Sequence, residues 1–193
     1  MTSTTQTNGQ ERTAGKKIAW GLTGAGDRME ETLTVMRSLK KDGWERDVFL
    51  SAEALTVLKW YGFADAFFED FPNAKTEKGP NAPFIVGPLQ RGEYHALVVC
   101  PATANTVAKI VCGIADTLLT NAVAQTAKSA TPIYILPVDA VPGTVHTRAP
   151  NGREFDLTMR QVDIENAEKL GRMENITLLK DPEDAGYIFS AQP

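Results

Sequence analysis

Residues 96–119 read ALVVCPATANTVAKIVCGIADTLL, and the fold follows from how this stretch is built. Ala96–Cys100 is a continuous apolar run of strand length, without the alternation of a half-exposed strand, as a central parallel strand covered on both faces requires. Pro101 ends it. Small and polar residues follow, and a helical pattern runs from Asn105 to Cys112. Beyond Gly113 a second helical stretch covers Asp116–Lys128, and Ile133–Leu136 is another buried strand, stopped by Pro137.

Working outward, the same alternation recurs. Upstream come a strand at Ile18–Leu22, a helix at Met29–Leu39, a strand at Asp47–Leu50 and a helix at Glu53–Trp60. Downstream come a strand at Phe155–Met159, a helix at Asp163–Leu170 and a last strand at Ile176–Leu179. Repeated strand–helix–strand units predict an α/β fold with a doubly wound parallel sheet in three layers. Phe71–Pro83 and Val141–Arg153 carry Pro and Gly without a period and read as long surface loops, the second as a lid or an interface loop.

The chain has 193 residues, 42% of them hydrophobic and 23% charged, which fits one domain. Residues 1–16 hold almost no apolar side chain and are expected to be a disordered tail, leaving 17–193 as the folded domain. A net charge of -4 and no Lys/Arg run longer than two argue against nucleic acid as a partner. Cys100 and Cys112, the only cysteines, form no CxxC pair, so no metal site is expected. No apolar run approaches membrane-spanning length and the first 16 residues lack a secretory core, so the expected compartment is the cytoplasm.

Ligands of open α/β sheets bind at the carboxyl ends of the strands. Three strand tips carry candidate residues. After the first strand, Gly21-Leu22-Thr23-Gly24-Ala25-Gly26-Asp27 suits a phosphate, through glycines that admit an anion, a Thr hydroxyl to donate to it and a helix N-terminus. A tight turn capped by Asp27 fits the same residues. The order is neither GxGxxG nor GxxxxGK[ST], which leaves a nicotinamide Rossmann site or a P-loop unsupported. Ser51 stands at the neighbouring tip, as a donor to the same phosphate or as a helix cap, with Glu53 expected to point away. At the third tip Ala102 and Ala104 allow a flat ring against the backbone, while Thr103, Asn105 and Thr106 offer donors and acceptors; a capped helix start fits there as well.

The run PATANTVAKIVCGIADTLL resembles the PASANT-type motif and following GxxD segment of the homo-oligomeric flavin-containing cysteine decarboxylase superfamily, and the Thr-Gly-Ala turn matches that superfamily's first turn. The resemblance extends from about Lys17 to Pro137. It implies a flavodoxin-like sheet holding FMN between subunits, in a homo-oligomer built from trimers or a larger closed assembly. Carried over by position, Thr23, Gly24, Ala25 and Ser51 would hold the phosphate. Thr103, Ala104, Asn105 and Thr106 would contact the flavin, with the Pro137-Val138 backbone near its ring.

Three departures separate this chain from the decarboxylases. Gly87 stands where gapless counting from Pro101 puts their His. Pro137-Val138-Asp139-Ala140 replaces Pro-Ala-Met-Asn, so an Asp stands near where an Asn grips the substrate carboxylate, and no Cys follows Cys112. A branch sharing these departures is similar through GPLQRGEY, PATANTVAKI and TRAPNGREFDLTMRQVDIENAEKL: the dihydromethanopterin reductases and related archaeal flavoproteins. That branch implies an FMN-dependent reductase acting on a pterin with electrons from a soluble donor such as NAD(P)H. The alternatives are a flavin-dependent decarboxylase of a cysteine-containing substrate and a non-enzymatic flavin-binding electron carrier or regulatory subunit. Asp139, His146, Arg148 and Arg153 come from loops at the expected sheet edge and are candidates for substrate contact. His95 reads as a strand-edge residue, and Tyr94 and Trp60 as packing.

Overall fold

The computed structural model describes residues 16–191, so the expected tail, apart from Lys16, lies outside the described residues. Elements succeed one another as β1 (Lys17–Leu22), α1 (Met29–Lys41), β2 (Glu45–Leu50), α2 (Ala52–Trp60), α3 (Ala64–Asp70), β3 (Lys75–Thr76), α4 (Val86–Gln90), β4 (Ala96–Ala102), α5 (Ala104–Val111), α6 (Leu118–Thr126), β5 (Ile133–Pro137), β6 (Thr144–Arg148), β7 (Glu154–Thr158), α7 (Gln161–Leu170), β8 (Ile176–Leu178) and α8 (Pro182–Ser190).

Six strands pair in the order β3-β2-β1-β4-β5-β8, every pair parallel. Apart from the two-residue edge strand β3, this is the flavodoxin-like doubly wound order. The chain leaves β1 toward one edge and β4 toward the other, so the crevice between their tips is the topological switch point. All seven residues of β4 are buried, as its apolar run requires.

Side chains alternate across the sheet. Ile18, Trp20, Leu22, Val98 and Cys100 face one layer with α1, α2, α3 and α8. Ala19, Leu97, Val99, Ile133 and Ile135 face the other with α4, α5, α6 and α7. The expected three-layer α/β architecture is present. Among the described residues no helix is long and apolar enough to cross a membrane.

Several sequence expectations are corrected. The segment 141–153, expected to be a lid or an interface loop, contains β6, and the strand after it does not join the sheet: β6 and β7 pair antiparallel with each other, outside it. The reason is period 2 on both arms around a Pro150-Asn151-Gly152 bend, with Gly152 at φ 83°. The ribbon puts Val145, Leu157 and Phe155 on one face, all at least 40% exposed, and His146, Asp156, Arg148 and Glu154 on the other.

The loop expected at 71–83 contains β3, too short to show a period. Sequence reading missed α3 and α4, which are seven and five residues long, and α8, although Asp181-Pro182 with Asp184 forms a capping box. Phe189 of α8 is fully buried, with its ring 5.1 Å from Trp44 and 5.7 Å from Tyr134. Phe189→Ala should cost about 3–5 kcal/mol, as for other large core truncations; denaturant unfolding should show a lower midpoint at unchanged slope.

Candidate functional site

The switch point is laced shut by one hydroxyl. Thr23 Oγ1 donates to the Pro101 carbonyl at 2.8 Å and accepts the Thr103 N–H at 2.9 Å, while Thr23 N–H donates to Pro101 O at 3.3 Å. Ser51 N–H donates to Leu22 O and Val138 N–H to Ala102 O, so the tips of β1, β2, β4 and β5 form one rim. Thr23 is 2% exposed and its proton is already used. This corrects the expectation that its hydroxyl donates to a phosphate: its work is to hold β1 against β4.

Two helices begin on that rim with hydroxyl caps. Ser51 Oγ accepts the Ala54 N–H at 3.1 Å at the start of α2. Thr103 Oγ1 accepts the Thr106 N–H at 3.2 Å at the start of α5 and lies 3.0 Å from Thr106 Oγ1. Both caps therefore exist, and neither exhausts its hydroxyl. Ser51 accepts and keeps its own proton; Thr103 and Thr106 share one proton between their oxygens and keep the other. Two spare protons thus lie beside two helix N-termini, where the positive dipole ends favour an anion.

Between α2 and α5 lies a cleft of about 510 Å³, inside the range of small-molecule sites. Along α2 its lining runs from Ser51 past Glu53 and Val57 to Trp60; along α5 it runs from Thr103 past Asn105 and Thr106 to Lys109. Gly24 forms part of the rim, pressed so close to α2 that a Cβ there would stand 2.6 Å from Glu53 Cβ. The one cation of the lining, Lys109, holds both oxygens of Asp116 at 2.9 Å, and Glu77 accepts the Leu118 N–H at 3.0 Å. The cleft therefore offers an anion hydroxyl protons and helix ends rather than an unpaired positive charge.

The Flavoprotein family model matches residues 6–187. The chain belongs to the Flavoprotein family. The Methanocaldococcus jannaschii protein MJ0730 is 49% identical over 174 residues, 90% of this chain and 94% of that one. A dihydromethanopterin reductase (acceptor) of Methanosarcina mazei is 38% identical over 146 residues, 70% of this chain and 59% of the relative. The crystal structure of Burkholderia xenovorans DmrB in complex with FMN, a cubic protein cage for redox transfer, superposes with a TM-score of 0.75 at 35% identity, covering 89% of this chain and 92% of that one.

In this flavoprotein the structure gathers Thr23, Gly24, Ser51, Thr103, Asn105 and Thr106 at one cleft. Ala104 is the first residue of α5, and Ala25 is buried in the turn. Glu53 lines the cleft instead of pointing away. The turn is not capped by Asp27: Arg28, at φ 62°, takes the N-cap position of α1 without a side-chain bond.

Other predicted residues lie elsewhere. Val138 lines a separate cavity of about 690 Å³ by the tips of β5 and β8. Burial, with Asp163 and Asp27 nearby, pushes the Asp139 carboxyl pKa up against the opposing pull of the Ala104 N–H. His146 is committed on the hairpin, with Nδ1 2.8 Å from Asp156 Oδ1, and this bond raises its pKa. Arg148 Nε donates to Gly152 O, its carbonyl accepts from Tyr61 Oη, and Arg153 is exposed on the same hairpin. None of these five lines the cleft with Thr103.

Trp60, expected to be packing, is 65% exposed on the cleft wall; its i+7 spacing from Glu53 along α2 was the available signal. Tyr94 does pack, 6% exposed, with its Oη donating to Asp47 at 2.6 Å. His95 continues the edge of β4, its N–H donating to Lys17 O.

Two outcomes are expected. Thr23→Val orphans the Thr103 N–H at a buried site and leaves the Pro101 carbonyl only the longer bond from the backbone N–H of residue 23, which should cost about 1–3 kcal/mol, with recovery in Thr23→Ser; thermal melts of the three proteins test this. Asp139 has a raised folded-state pKa, so it favours the folded chain less as pH rises through that pKa. Asp139→Asn should therefore raise the melting temperature at pH 7, and the gain should vanish in acid below the ordinary carboxylate range.

Proposed function

We propose that this flavin-dependent redox enzyme holds FMN in the α2/α5 cleft and reduces a pterin of the dihydromethanopterin type with electrons from a soluble donor such as NAD(P)H. The observation that carries this reading is the pair of spare hydroxyl protons, at Ser51 and at Thr103/Thr106, beside two helix N-termini on the switch-point rim. That donor set fits a phosphate, and the remaining cleft volume fits a planar ring. The likeness to DmrB with FMN and to a dihydromethanopterin reductase (acceptor) supports the same assignment.

Bound FMN supplies two-electron transfer between donor and pterin. The protein's part is to hold and enclose. Ser51 Oγ–H and one Thr103/Thr106 hydroxyl donate to the phosphate, aided by the backbone N–H groups of Gly24 and Ala25. Asn105, exposed at the second position of α5, offers its amide to the polar edge of the ring. Val57 and Leu119 give the walls an apolar surface that excludes water.

A homo-oligomer belongs to this proposal. A two-stranded ribbon is marginal alone, and β6–β7 presents Val145, Phe155 and Leu157 to solvent on one face. A decarboxylase has less support. Gly87, where that chemistry would need its His, lies under the Phe84 ring, whose nearest atom is 2.7 Å from where a Cβ would stand.

Purified chain should be yellow, bleach anaerobically with NADH or NADPH and regain its colour with an oxidised pterin. A colourless protein that takes up no added FMN would overturn the cofactor assignment; a bleached protein that no pterin recolours would overturn the substrate. Ser51→Asp separates folding from binding, because Asp caps a helix as well as Ser yet puts a carboxylate where the phosphate needs a proton. Its melting temperature should stay near wild type while FMN binding falls by ~100-fold or more, the scale of losing a hydrogen bond to a charged group and adding repulsion.

A further inference from the structure

Of three tryptophans, two are sealed in the core: Trp20 is fully buried and donates to Cys100 O, and Trp44 is 3% exposed and donates to Phe189 O. Trp60 is different. It is 65% exposed, has no aromatic partner among the described residues, and lines the cleft at the last residue of α2. Glu53, Val57 and Trp60 stand at i, i+4 and i+7, one stripe along the helix, so the surface that begins beside the Ser51 cap ends at the indole. At 1.5 Å rise per residue the nine steps from Ser51 to Trp60 span about 13 Å, commensurate with a phosphate at one end and a ring at the other.

The geometry points to Trp60 as the aromatic wall of the cleft, its indole stacking on the planar ring of the ligand whose phosphate is held at Ser51 and Thr103. This rests on the FMN reading and adds a specificity residue to it. The packing argument is simple. An indole is largely apolar, and a heteroaromatic ring laid against it buries both faces while leaving the indole N–H at the edge free for water. The opposite wall, at Leu119 and the stem of Lys109, offers no ring. Neighbouring Tyr61 does not compete for the ligand, because its ring packs on Gly26, where a Cβ would lie 2.8 Å from Tyr61 Oη, and that hydroxyl donates to Arg148 O.

The test uses the emission of FMN itself, which an indole quenches on contact, so that the buried Trp20 and Trp44 are poor substitutes. Wild-type protein, Trp60→Leu and Trp60→Phe are titrated with FMN in the dark, following flavin emission and the number of subunits. Bound FMN should be largely dark in wild type and several-fold brighter in Trp60→Leu. Affinity should fall ~2- to 10-fold in Trp60→Leu, the scale of one aromatic stack, and stay near wild type in Trp60→Phe. If Trp60→Leu binds FMN as tightly and as darkly as wild type, Trp60 is not the wall, and the FMN assignment stands without it. A changed subunit number at unchanged flavin emission makes Trp60 an interface residue and likewise overturns the inference. Wild-type protein that takes up no FMN removes the proposed function itself, a result the other outcomes cannot imitate.

Discussion

One threonine hydroxyl holds the site together. Thr23 Oγ1 gives its proton to Pro101 O and takes the Thr103 N–H, bonds that join the ends of β1 and β4 where the chain departs toward opposite edges. Parallel strands diverge at their tips, and nothing in the sheet ladder itself fixes the distance between the loops beyond them. With Thr23 in place, the starts of α2 and α5 keep a fixed relation, since Ser51 N–H is tied to β1 and Thr103 N–H to Thr23. The cleft exists because these two capped helices cannot drift apart.

Much of the architecture was legible in the sequence because burial on two faces leaves an unambiguous pattern. The apolar runs at 96–100 and 133–136 became β4 and β5, and the spacing of Thr23, Ser51 and Thr103 behind three strands brought them to one rim. What sequence failed to give was local in origin. Helices of five and seven residues carry too few turns to show a period, and β3 has only two residues. Of the hairpin only the second arm reads as a strand, because the Pro and Gly around the first arm mask its alternation, and alternation says that a strand exists without saying what it pairs with.

The roles of individual hydroxyls were the least legible part. Thr23 and Ser51 looked alike as donors at strand tips, yet one spends its proton inside the fold and the other keeps it. Only the partner of each oxygen separates them, and partners are a product of tertiary structure. Asp139 shows the same limit: adjacent in sequence to the expected ring contact at Val138, it is half-buried near other carboxylates, an environment no sequence pattern announces.

That the described residues lining the cleft include no unpaired cation has a consequence for how a bound anion senses its surroundings. Alcohol protons and peptide dipoles do not titrate near neutrality, and they attract over a short range that mobile ions screen little. The grip of hydroxyls and helix ends on a phosphate should depend little on ionic strength and should strengthen with the phosphate's own second ionisation, near pH 6. Lysine-based grips behave in the opposite way, loosening as salt rises. The difference would let such a protein keep its prosthetic group in a concentrated electrolyte.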